Sequence, residues 1–115
     1  MPSHTDVRIL PYSCKSVFDL VIDIRRYPEF LPWCQAMDIK LDEPGVLIAD
    51  MTIGFKVFQE SFTSQVKYKR PERIDVVYKN GPFEYLFNEW SFKKMSVSTT
   101  EVTFHVDFEF RSIFF

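Results

Sequence analysis

Apolar and polar residues alternate along much of the chain, and the segment near the C-terminus shows this most clearly. Val102, Phe104, Val106, Phe108 and Phe110 alternate with polar residues of the opposite parity. Because successive side chains of a strand point to opposite faces, this segment predicts a strand with one apolar and one hydrated face.

The same two-residue period predicts six further strands and a meandering antiparallel sheet. Turn residues separate them, with Glu43-Pro44-Gly45 after the second strand and Asn80-Gly81-Pro82 after the fifth. A change of parity predicts that the chain reverses near Lys56. The predicted strands cover approximately residues 6–10, 37–42, 47–55, 58–68, 74–78, 85–93 and 101–111.

A different period follows the first strand. Apolar residues recur at helical spacing after Ser13, which is a suitable N-cap, and they predict a helix over about residues 14–25. Pro28 and Pro32 then exclude a long regular element, so the sequence predicts a short helical turn followed by a loop.

These elements predict a single α+β domain with a curved antiparallel sheet of about six or seven strands and an N-terminal helix. The 115 residues suit one core, and they include 13 Phe, 5 Tyr and 2 Trp, so rings must line much of the interior. A helix of about three turns is too short to cover such a sheet, and part of the apolar face therefore needs another partner.

Charge and motif content argue against several functions. The net charge is −2 and no basic cluster is visible, so binding driven by nucleic-acid phosphates is not favoured. His4 and His105 are far apart, and no spacing of histidines and cysteines predicts a metal site. No nucleophile motif, paired-carboxylate signature or glycine-rich phosphate loop is present, which indicates a protein without catalytic machinery.

Targeting signals are also missing from the sequence. No apolar run approaches the ~20 residues that a transmembrane helix needs, and the first residues resemble neither a secretory signal nor a mitochondrial import segment. Cys14 and Cys34 form no CxxC motif. We therefore expect a reducing cytoplasmic location, with a bacterial or already processed origin and possible peripheral contact with the inner membrane.

Several separate stretches of the chain carry a resemblance to a known family. The most specific is the Tyr27–Cys34 stretch, YPEFLPWC, joined at the right distance to the turn Gly81-Pro82-Phe83. The other matching stretches are PSHT at residues 2–5, LPYS at 10–13, FDLV at 18–21, FQESFTS at 58–64, NGPF at 80–83 and VDFEFR at 106–111. Together they resemble the coenzyme Q-binding proteins of the START-like superfamily, which comprises polyketide cyclases and lipid transport proteins.

The resemblance implies a helix-grip fold, in which an antiparallel sheet curls around a long C-terminal helix with a hydrophobic tunnel between them. That helix is missing here, since the sequence ends at Phe114-Phe115 directly after the last predicted strand. We therefore expect residues 1–115 to be one START-like domain truncated at its C-terminus. The exposed sheet face would promote aggregation, or it would be covered by a second copy in a homo-oligomer.

Candidate ligand-binding residues come from a proline-framed loop and from aromatic strand positions. Leu31 and Trp33, on either side of Pro32, are interpreted as a lip that contacts a quinone or membrane; the alternative is a plug that seals the core. Some of the inward-facing strand rings would line the tunnel and others would form the core. The full set is Leu31, Pro32, Trp33, Phe62, Phe83, Trp90, Phe104 and Phe108.

Two polar residues share the parity of these rings. Glu60 lies between Phe58 and Phe62, and Asn88 precedes Trp90 by two positions. They could anchor a quinone head group, but an irregular strand that turns them toward solvent is the favoured interpretation, because a buried polar group needs a partner.

The function that the resemblance implies is non-enzymatic binding of ubiquinone, or of a related polyprenyl lipid, in support of respiration. Ubiquinone would be a ligand, not a covalently bound cofactor. A different class of function stays open, since proteins similar to this family are ribosome association toxins that act on the large ribosomal subunit. A third alternative, an aromatase or cyclase, is borrowed from the wider superfamily.

Overall fold

The computed structural model describes residues 2–55, 57–81 and 83–110. Within this part of the chain it contains seven strands and two short α-helices, which confirms the predicted α+β class. The elements are β1 (Ser3–Leu10), α1 (Cys14–Ile22), α2 (Tyr27–Phe30), β2 (Cys34–Glu43), β3 (Val46–Phe55), β4 (Phe58–Lys69), β5 (Arg73–Lys79), β6 (Phe83–Ser96) and β7 (Thr99–Phe110).

The strands form one curved antiparallel sheet in the order β1-β7-β6-β5-β4-β3-β2. Strands β2 to β7 make a meander, as the turn signals predict, and β1 returns to pair with β7. The chain between β1 and β2 thus passes from one edge of the sheet to the other. This connection contains both helices and lies across one face.

Helix α1 begins where the sequence predicts and ends earlier. Ser13 is its N-cap, and the Ser13 side-chain oxygen accepts a hydrogen bond of 3.2 Å from the backbone N–H of Ser16. The predicted end near residue 25 is wrong: α1 ends at Ile22, Asp23 leaves the helical region at φ −80° and ψ 65°, and a 3₁₀ turn covers Ile24–Arg26. Asp has a low helix propensity, and the helix ends just before Asp23.

The proline-containing segment also follows the prediction. Tyr27–Phe30 forms one turn of helix, which ends when Leu31 adopts an extended conformation. The backbone N–H of Leu31 donates to the carbonyl of Tyr27 at 2.9 Å, and that of Cys34 donates to the carbonyl of Leu31 at 3.0 Å. A tight connection therefore carries the chain from α2 into β2.

The main core lies between α1 and the covered face of the sheet. Phe18 is its centre, fully buried against the rings of Tyr68 and Phe92. The other buried members alternate along their strands, as expected for one covered face. The core comprises Val17, Phe18, Ile22, Ile24, Leu47, Ala49, Val66, Ile74, Val76, Phe92 and Val102.

Several strands are longer than the sequence pattern predicts. Strand β1 begins at Ser3 instead of Asp6 because its first residues pair with β7, where Ser3 lies opposite Asp107. Backbone pairing thus extends a strand beyond its alternating side chains. The predicted reversal agrees with the pairing of Phe55 with Phe58, while Lys56 itself, Pro82 and residues 111–115, with Phe114-Phe115, lie outside the described residues.

Candidate functional site

A cavity of about 410 Å³ lies between the helical segment and the concave face of the sheet. We refer to it as the cavity. It lies beside the main core, and almost all of its lining is apolar or aromatic. Residues 20–33 contribute Leu20, Val21, Ile24, Tyr27, Phe30, Leu31 and Trp33, and the strands contribute Met37, Met51, Ser64, Val66, Ile74, Val76, Tyr78, Asn88, Trp90 and Phe104.

The mouth of the cavity is marked by large apolar side chains that also contact water. Leu20 is 65% exposed, Phe30 is 55% exposed and Trp33 is 46% exposed. All three belong to the helical segment and the loop that follows it. A residue that seals the core is usually more deeply buried, so the exposure of Trp33 favours the lip interpretation, and its contact with a quinone or membrane stays a prediction.

The strand side of the cavity carries a wall of rings. Trp90 of β6 lies opposite Phe104 of β7 in the sheet register, and their ring centroids are 4.6 Å apart with the planes tilted by 55°. Phe92 stacks beside Trp90 at 6.4 Å and connects this wall to the main core. Such a surface favours a flat or apolar ligand over a charged one.

Three polar residues interrupt the apolar floor, and we name Ser64, Tyr78 and Asn88 the polar cluster. Ser64 on β4 is paired with Tyr78 on β5, and Asn88 on β6 is paired with Val76, two positions before Tyr78. Because all three share the parity of the covered face, their side chains lie next to each other on neighbouring strands. Ser64 is 3% exposed and Asn88 is 8% exposed.

Two members of the polar cluster carry a buried atom without a partner in the part of the chain that the structure describes. Among the described residues, neither Ser64 Oγ nor Asn88 Oδ1 has a hydrogen-bond partner. The Asn88 amide and the Ser64 hydroxyl each lower the pKa of the nearby Tyr78 phenol, although Ser64 Oγ forms no hydrogen bond with it. Buried polar atoms are nearly always paired, so these two atoms are exceptions that an ordered water or a bound guest would explain.

The ionisable groups of the cavity are held in their neutral forms. Burial raises the pKa of Tyr78, and the neighbouring Asn88 and Ser64 oppose part of that rise. Burial likewise raises the pKa of Tyr27, whose hydroxyl donates to the carbonyl of Val21. Burial also raises the pKa of the Cys34 thiol, which does not line the cavity and is buried beside Met51 and Phe62. These shifts move away from the near-neutral values that a general base needs.

The structure brings together half of the residues predicted to bind a ligand. Leu31, Trp33, Trp90 and Phe104 all line the cavity. Two of them come from the loop after α2 and two from the last hairpin, so the predicted lip and ring wall meet around one space. The contact of these residues with a ligand stays a prediction.

The other four predicted residues lie outside the cavity lining. Phe62 is buried in a second small cluster with Cys34 and Met51, and its ring meets the edge of Tyr78 at 5.0 Å. Pro32 is exposed between two lining residues.

Phe83 and Phe108 form a separate group of rings with Phe110. The Phe83 ring stacks on Phe110 at 4.8 Å and meets Phe108 at 6.2 Å. These three residues occupy the ends of β6 and β7, away from the cavity lining.

Some lining residues were not predicted as ligand contacts. Tyr27 and Tyr78 could have been predicted from the sequence, because each stands at an apolar position of its element. Nothing in the sequence pattern indicated Ser64. For Asn88 the favoured solvent-facing interpretation is wrong, because it lies in regular β6 and is buried. Glu60 is half-buried near the start of β4 and does not line the cavity.

Within residues 2–55, 57–81 and 83–110 the structure shows neither a metal site nor a membrane-spanning helix. No group of three or more His, Cys, Asp or Glu side chains there is arranged to hold a metal ion. No helix in the same ranges is long and apolar enough to cross a membrane.

Comparison with known sequences supports the resemblance inferred above. Residues 10–114 match the family described as polyketide cyclase / dehydrase and lipid transport. The ribosome association toxin RatA of Rickettsia prowazekii is 38% identical over 117 residues, covering 98% of this chain and 80% of that protein. The mitochondrial coenzyme Q-binding protein COQ10 of Drosophila melanogaster is 32% identical over 114 residues, covering 96% of this chain and 47% of that protein.

Solved structures confirm the fold. The Zhui aromatase/cyclase from Streptomyces superposes with a TM-score of 0.85 at 14% identity, covering 98% of this chain and 70% of that chain. A START superfamily protein from Mycobacterium smegmatis gives 0.82 at 15% identity, covering 97% and 79%. The α+β helix-grip class predicted from the resemblance is therefore confirmed, and at these identities the likeness extends to the fold alone.

Proposed function

The chain belongs to the polyketide cyclase, dehydrase and lipid transport family, and we propose that it binds ubiquinone or a related polyprenyl lipid in its cavity without transforming it. The observation that carries this proposal is the cavity itself, whose lining is apolar apart from a few polar groups. Ligand sites commonly combine such a lining with a small number of placed polar groups, in volumes of about 300–1,000 Å³.

The energetics of burial are sufficient for a carrier. Covering about 400 Å² of isoprenoid tail at ~25 cal/mol per Å² contributes about 10 kcal/mol. Lost translational and rotational freedom and ordering of the tail remove several kcal/mol of this. The remainder corresponds to a dissociation constant on the order of micromolar, which permits both uptake and release.

The chemistry of the lining favours binding over catalysis. Among the described residues that line the cavity there is no carboxylate, histidine, lysine or arginine. The titratable groups there are the phenols of Tyr27 and Tyr78, whose pKa values burial raises. A cyclase needs an acid or base at the reacting atoms, and this lining supplies none that is poised near neutrality.

The exposed apolar residues of the cavity lining, Leu20, Phe30 and Trp33, support peripheral contact with a membrane as the route of lipid entry. Aromatic and aliphatic side chains of this kind partition into the interfacial region of a bilayer. A cytoplasmic location beside the inner membrane is part of the proposal. Covering of the mouth by a second copy, and the extent of the domain, stay predictions that light scattering and a longer chain would test.

The proposal is tested with two neighbouring valines of β5 that face opposite sides of the sheet. Val76 is buried and lines the cavity, whereas Val77 is 42% exposed on the other face. Val76→Phe should fill part of the cavity and weaken binding of a short-chain ubiquinone at least tenfold, while Val77→Phe should leave the affinity unchanged. Equilibrium dialysis measures both, and thermal unfolding confirms that each variant is folded.

Organic extraction of the purified protein, followed by mass spectrometry, provides an independent readout. We expect a polyprenyl lipid in the wild-type extract and a reduced amount from Val76→Phe. Equal affinity of wild type and both variants for the quinone, with no lipid in any extract, would contradict the proposal.

A second candidate function is association with the ribosome, and the 38% identity to RatA over nearly the whole chain favours it. The surface gives it less support. Each of the five arginines that the structure describes is ion-paired with a carboxylate: Arg8, Arg25, Arg26, Arg70 and Arg73. The paired carboxylates compete with ribosomal RNA phosphates for these guanidinium groups.

Sedimentation with purified large ribosomal subunits separates the two candidates. Under the lipid-carrier proposal the protein should stay at the top of a sucrose gradient even at low salt. Co-sedimentation that weakens steeply as salt rises would favour ribosome binding instead.

A further inference from the structure

The polar cluster on the cavity floor gives information about the chemistry of the ligand. Ser64 and Asn88 are each more than nine-tenths buried, and both carry an atom without a hydrogen-bond partner in the part of the chain that the structure describes. Leaving such atoms unpaired is costly, and native proteins contain few of them. Both residues also line the cavity, so a guest that fills the cavity lies beside them.

The two side chains differ in what they require. The hydroxyl of Ser64 can donate or accept, so it adapts to either kind of partner. The side chain of Asn88 carries an NH₂ group that can only donate and an oxygen that can only accept. The atom left free is Oδ1 of Asn88, and a carbonyl oxygen can only accept.

A ligand completes this site only if it brings a donor to Asn88 Oδ1. Resting on the function proposed above, we propose that the cavity selects a lipid whose buried polar end carries a hydroxyl group, which donates to Asn88 Oδ1 beside Ser64. A quinone ring offers carbonyl and ether oxygens, which accept but do not donate. Of the two redox states of a prenylated quinone, the cavity therefore prefers the reduced quinol.

A pair of probes that differ in one donor tests this directly. 4-Nonylphenol and 4-nonylanisole share the ring and the apolar tail, but the phenol O–H is replaced by a methyl ether in the anisole. A hydrogen bond to an otherwise unpaired buried acceptor should favour the phenol by about tenfold, or about 1.4 kcal/mol. Equilibrium dialysis of both probes with the wild-type protein measures this ratio.

Variants locate the donor's partner. Asn88→Leu removes the acceptor at similar volume, and it should abolish the preference by weakening phenol binding while anisole binding is kept or strengthened. Gln65→Leu is the matched control, because it removes an amide from β4 at the neighbouring position that faces the other side of the sheet. This control should keep the full preference for the phenol.

The outcomes separate this inference from the proposed function. If the wild-type protein binds both probes equally, water satisfies the polar cluster, and the hydroxyl preference is overturned while lipid binding stands. Retention of the preference by Asn88→Leu would also overturn it, since the donor would then act elsewhere. If neither probe binds, both proposals fall. Because the wild-type comparison needs no variant, the test stays decisive even if Asn88→Leu does not fold.

Discussion

Phe18 provides the sharpest test of how the structure divides core from cavity. Its side chain is fully buried, with ring centroids 6.0 Å from Tyr68 and 5.8 Å from Phe92, and the Arg70 guanidinium lies 4.9 Å from its ring centroid. Phe18 does not line the cavity. Replacing it with Leu keeps most of the apolar volume and removes the ring contacts.

The cost of Phe18→Leu follows from those contacts. Two aromatic pairs at about 0.5–1.5 kcal/mol each and one cation–π contact at about 0.5–1 kcal/mol give a loss of about 1.5–4 kcal/mol. This is a large share of the roughly 5–15 kcal/mol that stabilises a typical domain. Urea unfolding followed by tryptophan fluorescence should show a lower midpoint with an unchanged slope.

Phe104→Leu is the matched variant at a residue that lines the cavity. Phe104 is half-buried, lines the cavity and has its closest ring contact with Trp90 at 4.6 Å. Losing that single pair should cost about 0.5–1.5 kcal/mol of stability. We expect Phe104→Leu to weaken lipid binding severalfold, and Phe18→Leu to leave affinity unchanged in the fully folded protein.

The reasoning is refuted by either of two results. A loss of under about 0.5 kcal/mol in Phe18→Leu would show that the ring contacts do not stabilise the core as the geometry indicates. A weaker affinity in Phe18→Leu than in Phe104→Leu would show that Phe18 shapes the cavity more strongly than its absence from the lining indicates.

Three further predictions concern local interactions. Ser13→Ala removes the N-cap of α1 and should destabilise the protein by about 1 kcal/mol in urea unfolding; no loss would mean that the cap is dispensable. Glu89→Gln breaks the exposed 2.7 Å ion pair with Arg73 and should change stability by less than about 1 kcal/mol, with a larger loss contradicting its surface character. Burial raises the pKa of Tyr78 above 10.0, so the unfolded chain loses this proton first and stability should fall as pH rises above about 10. Tyr78→Phe should flatten that fall in thermal melts, and an equally steep fall would exclude Tyr78 as a source.

The sequence predicts the strands well because their signal is local. Along β7 every second residue from Val102 to Phe110 is apolar, so the covered face can be read without its neighbours. The N-cap at Ser13 and the helical turn before Leu31 are local as well, since they depend on a hydroxyl and on prolines at fixed positions. Where pairing with another strand sets the end of an element, as at Ser3, the predicted strand is too short.

The candidate site was predictable only in part, for the same reason. Parity indicates which rings face inward, but not how far along the sheet they lie. Phe62 and Trp90 share the covered face, yet Phe62 fills the small cluster beside Cys34 while Trp90 lines the cavity. Register and the curvature of the sheet separate them, and both arise from pairing between distant segments.

By itself, then, the sequence determined the α+β class, the number and faces of the strands, the start of α1 and the aromatic character of the interior. Tertiary structure alone decided that the helical segment leaves a cavity beside Trp33, and that Ser64, Tyr78 and Asn88 meet on its floor. The physical reason is the separation along the chain over which each interaction acts. Alternation and capping act between residues a few positions apart, whereas the burial of Asn88 depends on the strands and helical segment packed around it.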